Sequence, residues 1–441
     1  MSKFYICTFG CRCNQADSGA IRESLCRKGL EEAASHSDAD LVVVNSCTVT
    51  QRTDQQVRQA VRRFHRDNPG ARVVVAGCYA QRDPDSLAAI PGVSLAVGNA
   101  DRERLAELLE ESVATPEIKV FRSPLTGRGP HLSMAPCGTG GKTRPLLKLQ
   151  DGCDARCSYC IVPSVRGPGR SARPEDVLTQ VKALLGAGYR EIVLTGVNLG
   201  AYGRNLEGAP TFPRLLRRIL EIPGLGRLRL SSIEPMRFSR DIVRLAASNP
   251  AIAPHFHIPL QSGSDRVLRA MRRPYTAARF LSLADFIRET LPISGLGTDV
   301  LAGFPGESEE DFRMTCDLVR RAPLTYLHVF PFSARPGTAA GSMAPRIDPA
   351  VIHARVATLR SISNEKNLAF RRNLIGRELP AVTLAKEEGM GDSTVLTENY
   401  VHARVAGSVV PNQLITARIV DVLADETVAA VVQPGTPEAR S

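Results

Sequence analysis

The sequence predicts an α/β protein in three parts. An N-terminal doubly wound parallel sheet covers residues 1–115, a partial (β/α) barrel covers 145–374, and a small antiparallel, OB-like β-barrel covers 375–438. Residues 116–144 join the first two. Three observations carry this reading. Short apolar runs alternate with helical stretches in two successive blocks, the pattern of parallel strands joined by helical crossovers. A Pro- and Gly-rich stretch separates the blocks. From Ile375 to Val432 the chain turns Val- and Thr-rich, with short alternating strands punctuated by Gly-Asp, Glu-Asn and Pro-Asn. A chain of 441 residues has length for about three domains, each with its own core.

In the first part, Phe4–Thr8, Leu41–Val44 and Arg72–Ala76 are apolar runs of strand length. Between the last two, Val57, Ala60, Val61 and Phe64 recur at helical spacing, and Arg58, Arg62, Arg63 and Arg66 take the opposite face. Each strand leads into a cysteine: Cys11 in Phe9-Gly-Cys-Arg-Cys-Asn-Gln15, Cys47 in Asn45-Ser-Cys-Thr48, Cys78 in Gly77-Cys-Tyr-Ala-Gln81. The carboxyl ends of parallel strands form the edge where open α/β sheets bind ligands. Cysteines far apart in sequence should therefore converge at one rim. They serve there either as ligands of a metal cluster or as small residues packing at strand ends.

The joining stretch contains Cys137-Gly-Thr-Gly-Gly-Lys142. It lacks the spacing and following helix of a phosphate-binding loop and is read as a flexible connection. Beyond it come strands Pro145–Leu149, Glu191–Leu194, Arg227–Ser231, His255–Pro259, Gly297–Ala302 and Leu327–Phe330. Each ends in a polar or Gly-rich stretch, and helices such as Asp311–Arg321 would pack outside. A partial barrel built this way carries its site at the C-terminal face of the strands. Directly after the first strand runs Asp151-Gly-Cys-Asp-Ala-Arg-Cys-Ser-Tyr-Cys160, with Cys153, Cys157 and Cys160 spaced x3 then x2. Clustered thiolates select iron–sulfur clusters, zinc or cuprous ion. A structural zinc closes all four positions, and only three are offered locally. Two arrangements meet this: a cubane cluster with one iron open to a small chelating molecule, and a zinc hairpin with a distant fourth ligand. His257 and Asp265 invite an acid–base reading, but a lone histidine in such a barrel is read as a core residue.

Composition narrows the class. Hydrophobic residues at 43% and charged residues at 23% are ordinary for a globular protein. No apolar run approaches the roughly 20 residues needed to span a bilayer, and a strand begins at Phe4 with no secretory signal. A cytoplasmic protein without a membrane partner is expected. In such a reducing compartment, 11 cysteines point to metal or redox chemistry rather than a disulfide framework. Lys and Arg total 56 against 45 Asp and Glu, a surplus of 11 that suggests an anionic partner such as nucleic acid. The Arg58–Arg66 face, with Arg166 and Arg170, is where phosphates would be met.

Cys153-x3-Cys157-x2-Cys160 with Tyr159 before the last cysteine, the upstream cysteines in their Gly-Cys, Asn-Ser-Cys-Thr and Gly-Cys-Tyr-Ala-Gln settings, and the terminal β-barrel together resemble the radical S-adenosylmethionine (SAM) methylthiotransferases. The likeness covers nearly the whole chain. That family combines an N-terminal methylthiotransferase domain, a radical SAM barrel and a TRAM domain. Gly10-Cys-Arg-Cys-Asn-Gln15 and Asn45-Ser-Cys-Thr-Val-Thr50 look most like the branch acting on threonylcarbamoyladenosine beside the anticodon of tRNA.

The resemblance implies that Cys153, Cys157 and Cys160 hold a SAM-binding [4Fe–4S] cluster, with Tyr159 by the adenine. It implies that Glu234, Gln261 and the Asp299-to-Glu307 stretch contact SAM from strand ends. Cys11, Cys47 and Cys78 would hold an auxiliary [4Fe–4S] cluster carrying the sulfur to be inserted. The implied reaction consumes two SAM per product and places a methylthio group on adenine carbon 2, whose hydrogen no ordinary base removes. No catalytic residue beyond the cluster ligands is implied. The implied partners are the single-stranded anticodon loop of tRNA, SAM and a low-potential electron donor such as flavodoxin or ferredoxin. Cys13 stands where relatives carry another residue, as an inert neighbour or an alternative ligand. Cys7, Cys26, Cys137 and Cys316 are assigned to packing or exposure. The family's other substrates are isopentenyladenosine in tRNA and an aspartate of a ribosomal protein. A non-catalytic iron–sulfur RNA-binding protein and a zinc-binding RNA module are the readings from other classes.

Overall fold

The computed structural model describes residues 2–112, 118–127, 132, 143–385 and 391–432. The Cys137–Lys142 run lies outside them.

The runs Val42-Val43-Val44 and Val73-Val74-Val75 are fully buried, as strands covered on both faces must be. They sit at the centre of an all-parallel sheet of six strands in sequence order 2-1-3-4-5-6. From one edge these are Glu31–Glu32, Lys3–Thr8, Leu41–Ser46, Arg72–Gly77, Val93–Gly98 and Lys119–Phe121. The last of them falls in the stretch expected to be linker. Its three residues are too few for a period-2 signal to stand out beside the prolines and glycines. Helix Gln51–Asp67 begins at Thr50, whose hydroxyl accepts the Thr53 N–H at 3.2 Å, and it buries Val57, Ala60, Val61 and Phe64 as the spacing predicts. Strand order reverses beside Lys3–Thr8, so the ligand crevice opens between that strand and Leu41–Ser46. Cys11 and Cys47 follow these two strands directly.

All six expected barrel strands are present and parallel: Leu146–Asp151, Glu191–Gly196, Arg227–Leu230, His255–His257, Gly295–Ala302 and Tyr326–Pro331. They form two hydrogen-bonded groups joined by the Leu228↔Ile252 bridge. A large apolar core lies between the strands and outer helices such as Glu309–Arg321 and Pro349–Arg372. Helix Arg12–Arg27 of the first domain packs against strands Leu146–Asp151 and Glu191–Gly196.

The tail closes into a five-stranded barrel with strands in sequence order 1-2-3-5-4. Its pairs are antiparallel except His402–Val405 with Thr427–Val432, a parallel pair that completes the OB-like ring. The barrel docks beneath the central one: Arg229 donates to the carbonyls of Thr397 and Glu398, and Asn399 to that of Ile293. Among the described residues no helix is long and apolar enough to cross a membrane.

Candidate functional site

The first cysteine group leaves its strand through Gly152, which has φ +72° and lies against the Pro168 carbonyl, where no side chain fits. The Cys153 N–H then donates to Gly167 O at 3.0 Å and the Cys160 N–H to Cys157 O at 3.1 Å. Ser158 ties the loop across the barrel mouth, from its N–H to Met271 O at 3.0 Å and from its hydroxyl to Ala270 O at 2.8 Å. Burial, then the neighbouring Cys157 and Cys153, push the Cys160 thiol up to about 12, and burial raises Cys153. Three donors point at the sulfurs: Ala155 N–H and Asn198 Nδ2 to Cys153 at 3.4 and 3.8 Å, and Arg273 Nη1 to Cys157 at 3.3 Å. Ligating thiolates of iron–sulfur centres accept such bonds. A cation here would offset the thiolate charge that burial opposes. The donor set therefore fits a thiolate-ligated cluster.

The second group assembles from three loops. A Cβ at Gly10 (φ +106°) would lie 2.5 Å from Cys47 Cβ and 2.9 Å from its sulfur, so the Cys11 and Cys47 loops touch. Ser46 Oγ donates to Ala76 O at 2.6 Å and accepts the Tyr79 N–H at 3.2 Å, stitching the Cys47 loop to Cys78. Asn99 Nδ2 donates to Cys78 Sγ at 3.3 Å and to Val165 O at 2.7 Å. Cys78 packs with Ile161 and Val165, and Ile161 directly follows Cys160. The two cysteine groups thus share one wall. Burial, then Cys78, push the Cys47 thiol up to about 12. A hydrogen bond from Cys13 brings Cys11 down to about 6, with burial opposing and Arg166 assisting, while Cys13 itself is raised. Cys13 is buried, Cys7 half-buried, Cys26 exposed and Cys316 buried.

The other predicted residues divide. Tyr159 packs against the cluster of Val267, Met271, Leu301 and Phe304. Glu234 is held by Arg273, which also reaches Cys157, so both flank the first thiol group. Gln261 has φ +69° and is pinned on both sides, its N–H to Asp299 O at 2.8 Å and its carbonyl to Leu301 N at 2.9 Å. A non-glycine residue held there marks a strained position at a strand end. Glu307 instead faces away from the mouth: it accepts from Gly303 N and Arg355 Nη1, both at 2.8 Å. Asp265 caps a neighbouring turn, accepting the Ala277 N–H at 2.7 Å.

Arg166 and Arg170 are buried and do not face RNA. Arg166 donates to Asp151 Oδ1 at 2.7 Å, Asp17 Oδ2 at 2.9 Å and Asn14 Oδ1 at 3.2 Å, and Arg102 and Lys148 also pair with Asp17. These cations neutralise two buried carboxylates where the first domain meets the barrel. Arg62, Arg63 and Arg66 are exposed as expected, while Arg58 is half-buried and donates to Tyr79 OH at 2.6 Å. His257 is not solitary: it shares Asp299 with His328 inside the barrel. Sequence reasoning missed Arg273, Asn99 and Arg335, and gave Asn198 no role. Asn99 had a signal, since it follows strand Val93–Gly98 as the cysteines follow theirs. Arg335 had none: it bonds Thr48 at 2.8 Å and Asp54 at 2.6 Å across the domain boundary.

Residues 147–319 match the radical SAM superfamily, and residues 3–98 match the uncharacterized protein family UPF0004. The threonylcarbamoyladenosine tRNA methylthiotransferase MtaB of Aquifex aeolicus is 38% identical over 400 residues, covering 91% of this chain and 96% of the relative. The chain belongs to the radical SAM methylthiotransferase family. As a member it is a transferase of sulfur-containing groups that uses a [4Fe–4S] cluster and SAM. A second relative, the tRNA-2-methylthio-N(6)-dimethylallyladenosine synthase of Parafrankia, is also 38% identical, over 88% of this chain and 79% of that protein. The fold itself is shared with the radical SAM methyltransferase TsrM of Kitasatospora setae, at a TM-score of 0.57 and 17% identity over 77% of this chain and 75% of that one.

Proposed function

We propose that this methylthiotransferase modifies threonylcarbamoyladenosine beside the anticodon of tRNA, using two [4Fe–4S] clusters. Cys153, Cys157 and Cys160 hold one; Cys11, Cys47 and Cys78 hold the other. The carrying observation is the shared wall: Ile161, next to Cys160, packs on Cys78. When bound, the clusters and SAM supply the radical that removes the unactivated adenine hydrogen, and the methylated sulfur that replaces it.

The chain's own residues hold and orient these groups. Arg273 and Asn198 donate to ligand sulfurs, and Asn99 does so for Cys78. Glu234 and Gln261 stand at strand ends facing the SAM level, and Tyr159 closes its apolar side. Ile161 and Val165 exclude water between the two groups. Electrons come from a low-potential donor of the flavodoxin or ferredoxin kind. Identity alone is equal for the two relatives, but this chain spans 96% of the MtaB protein against 79% of the dimethylallyladenosine enzyme. Span favours the threonylcarbamoyl branch. Nucleoside mass spectrometry of tRNA with and without the gene tests it. The reading requires loss of 2-methylthio-threonylcarbamoyladenosine with its precursor accumulating; loss of a methylthiolated isopentenyl nucleoside instead would overturn the branch.

A further inference from the structure

Inside the central barrel, one layer below the rim beside Cys160, lies a polar cup that contains none of the cysteine ligands. Strand alternation puts Tyr326, His328 and Phe330 on the lumen face, while Leu327 and Val329 pack outward in the core with Val356 and Leu359. Register pairs Gly297 with Tyr326, Asp299 with His328 and Leu301 with Phe330. Leu301 belongs to the cluster against which Tyr159 packs. Asp299 therefore sits two residues, about 7 Å, below the rim beside Cys160.

The floor is built. A Cβ at Gly297 would collide with the Tyr326 ring, so glycine is what lets that ring cross the lumen. Tyr400 of the tail barrel closes the bottom, stacked on His255 at 4.1 Å and 14°. A hydrogen-bond chain rises from it: His255 Nε2 to Tyr326 OH at 2.9 Å, Tyr326 OH to His257 Nδ1 at 3.2 Å, His257 Nε2 to Asp299 Oδ1 at 2.8 Å, and Asp299 Oδ1 to His328 Nδ1 at 3.3 Å. Burial disfavours the charged form of His255, and the Tyr326 hydroxyl bridges its Nε2 to His257 Nδ1. His257 is held through its two ring nitrogens between the Tyr326 hydroxyl and the Asp299 carboxylate. His328, whose side chain is 54% exposed, is held by Asp299 through Nδ1. Phe330, 43% exposed, stands one layer above on the same face.

We infer that this cup is the target-nucleoside site, in which Phe330 stacks the adenine and His328 binds the carboxylate of its threonylcarbamoyl substituent. Asp299 engages His328 through Nδ1, which leaves Nε2 as the contact for a bound carboxylate. An exposed aromatic ring is the usual platform for a base taken out of its stack. The inference rests on the substrate reading above and assigns residues to it.

Binding of anticodon stem-loop RNAs to the anaerobic holoenzyme tests it, with S-adenosylhomocysteine present. One RNA carries threonylcarbamoyladenosine and the other plain adenosine. His328→Ala should cut the preference for the modified RNA by about ten-fold, the scale of a hydrogen bond to a charged group. Affinity for the plain RNA should change less than affinity for the modified RNA. His328→Gln, which keeps a donor, should recover part of the preference. Equal weakening of both RNAs, or an unchanged preference, would overturn the inference. So would a stoichiometric transition metal, beyond cluster iron, that disappears in His328→Ala. If the wild type shows no preference between the RNAs, the substrate reading itself falls, and the assignment with it.

Discussion

At the residue scale the buried Asp17 carboxylate shows how charge fixes the site. Burial alone would raise its pKa, but Arg102, Lys148 and Arg166 outweigh that and hold it at about 2. An unfolded Asp titrates near 3.9, so the folded value is depressed. The stabilisation is complete above about pH 4 and is lost as pH falls through 2. Asp17→Asn should therefore destabilise the protein at pH 7 by about 3–5 kcal/mol, the cost of leaving three buried cations to share the Asp151 carboxylate. The deficit should shrink progressively below pH 4. Denaturant unfolding of both proteins across that range checks it; a pH-independent deficit would reject the linkage. The same cluster explains why Arg166 was misread. A basic residue at the end of a short helix looks solvated until the opposing domain brings Asp17 to it. The cysteines were legible because each follows a strand whose apolar run is continuous, and parallel strands end at one rim. Cys13 differs: no strand leads into it, and it lies buried beside Cys11 in the first turn of helix Arg12–Arg27.

At the scale of elements, connections between domains decide how the thiol loops are held. The segment after strand Tyr326–Pro331 reaches the first domain through Ser333, whose hydroxyl accepts the Gln51 N–H at 3.1 Å, and through fully buried Arg335. Arg335 contacts Thr48, the residue after Cys47, and shares Asp54 with Arg82. Arg335→Met should cost about 3–5 kcal/mol by stranding part of the Asp54 charge, and should lower iron retained by the upstream group more than by the barrel group. Iron quantification with electron paramagnetic resonance separates the two. Tyr400 joins three elements: Arg12 donates to its hydroxyl at 3.0 Å, His255 stacks on it, and Arg229 lies 5.3 Å from its ring. Tyr400→Phe should lose about 1.5–3 kcal/mol, a charge-assisted bond, and Tyr400→Ala more, since the stack also goes. Equal losses in the two variants would contradict the assigned contact. The tail barrel was legible as a barrel from its alternation. Its role as the plug beneath the central lumen was not, because no local pattern records where a folded module docks.

At the scale of the molecule, the 56 Lys and Arg residues behind the net charge of +11 include two populations. Arg102, Arg166 and Arg229 are spent internally against Asp17, Asp151 and Glu191. Arg62, Arg63 and Arg66 remain exposed on helix Gln51–Asp67, in the domain that carries Cys47. Replacing these three with Gln should weaken tRNA binding and flatten its dependence on log salt by about 0.7–0.9 for each phosphate no longer neutralised. A slope identical to wild type would remove this face from the interface.

The most direct measurement of the central claim, two thiol groups with separate tasks, is a paired assay of 5′-deoxyadenosine and methylthiolated nucleoside. It would compare reconstituted wild type, Cys157→Ala and Cys47→Ala on tRNA bearing threonylcarbamoyladenosine. The account predicts neither product from Cys157→Ala, and continued SAM cleavage without methylthio product from Cys47→Ala. Normal methylthio product from Cys47→Ala would contradict it.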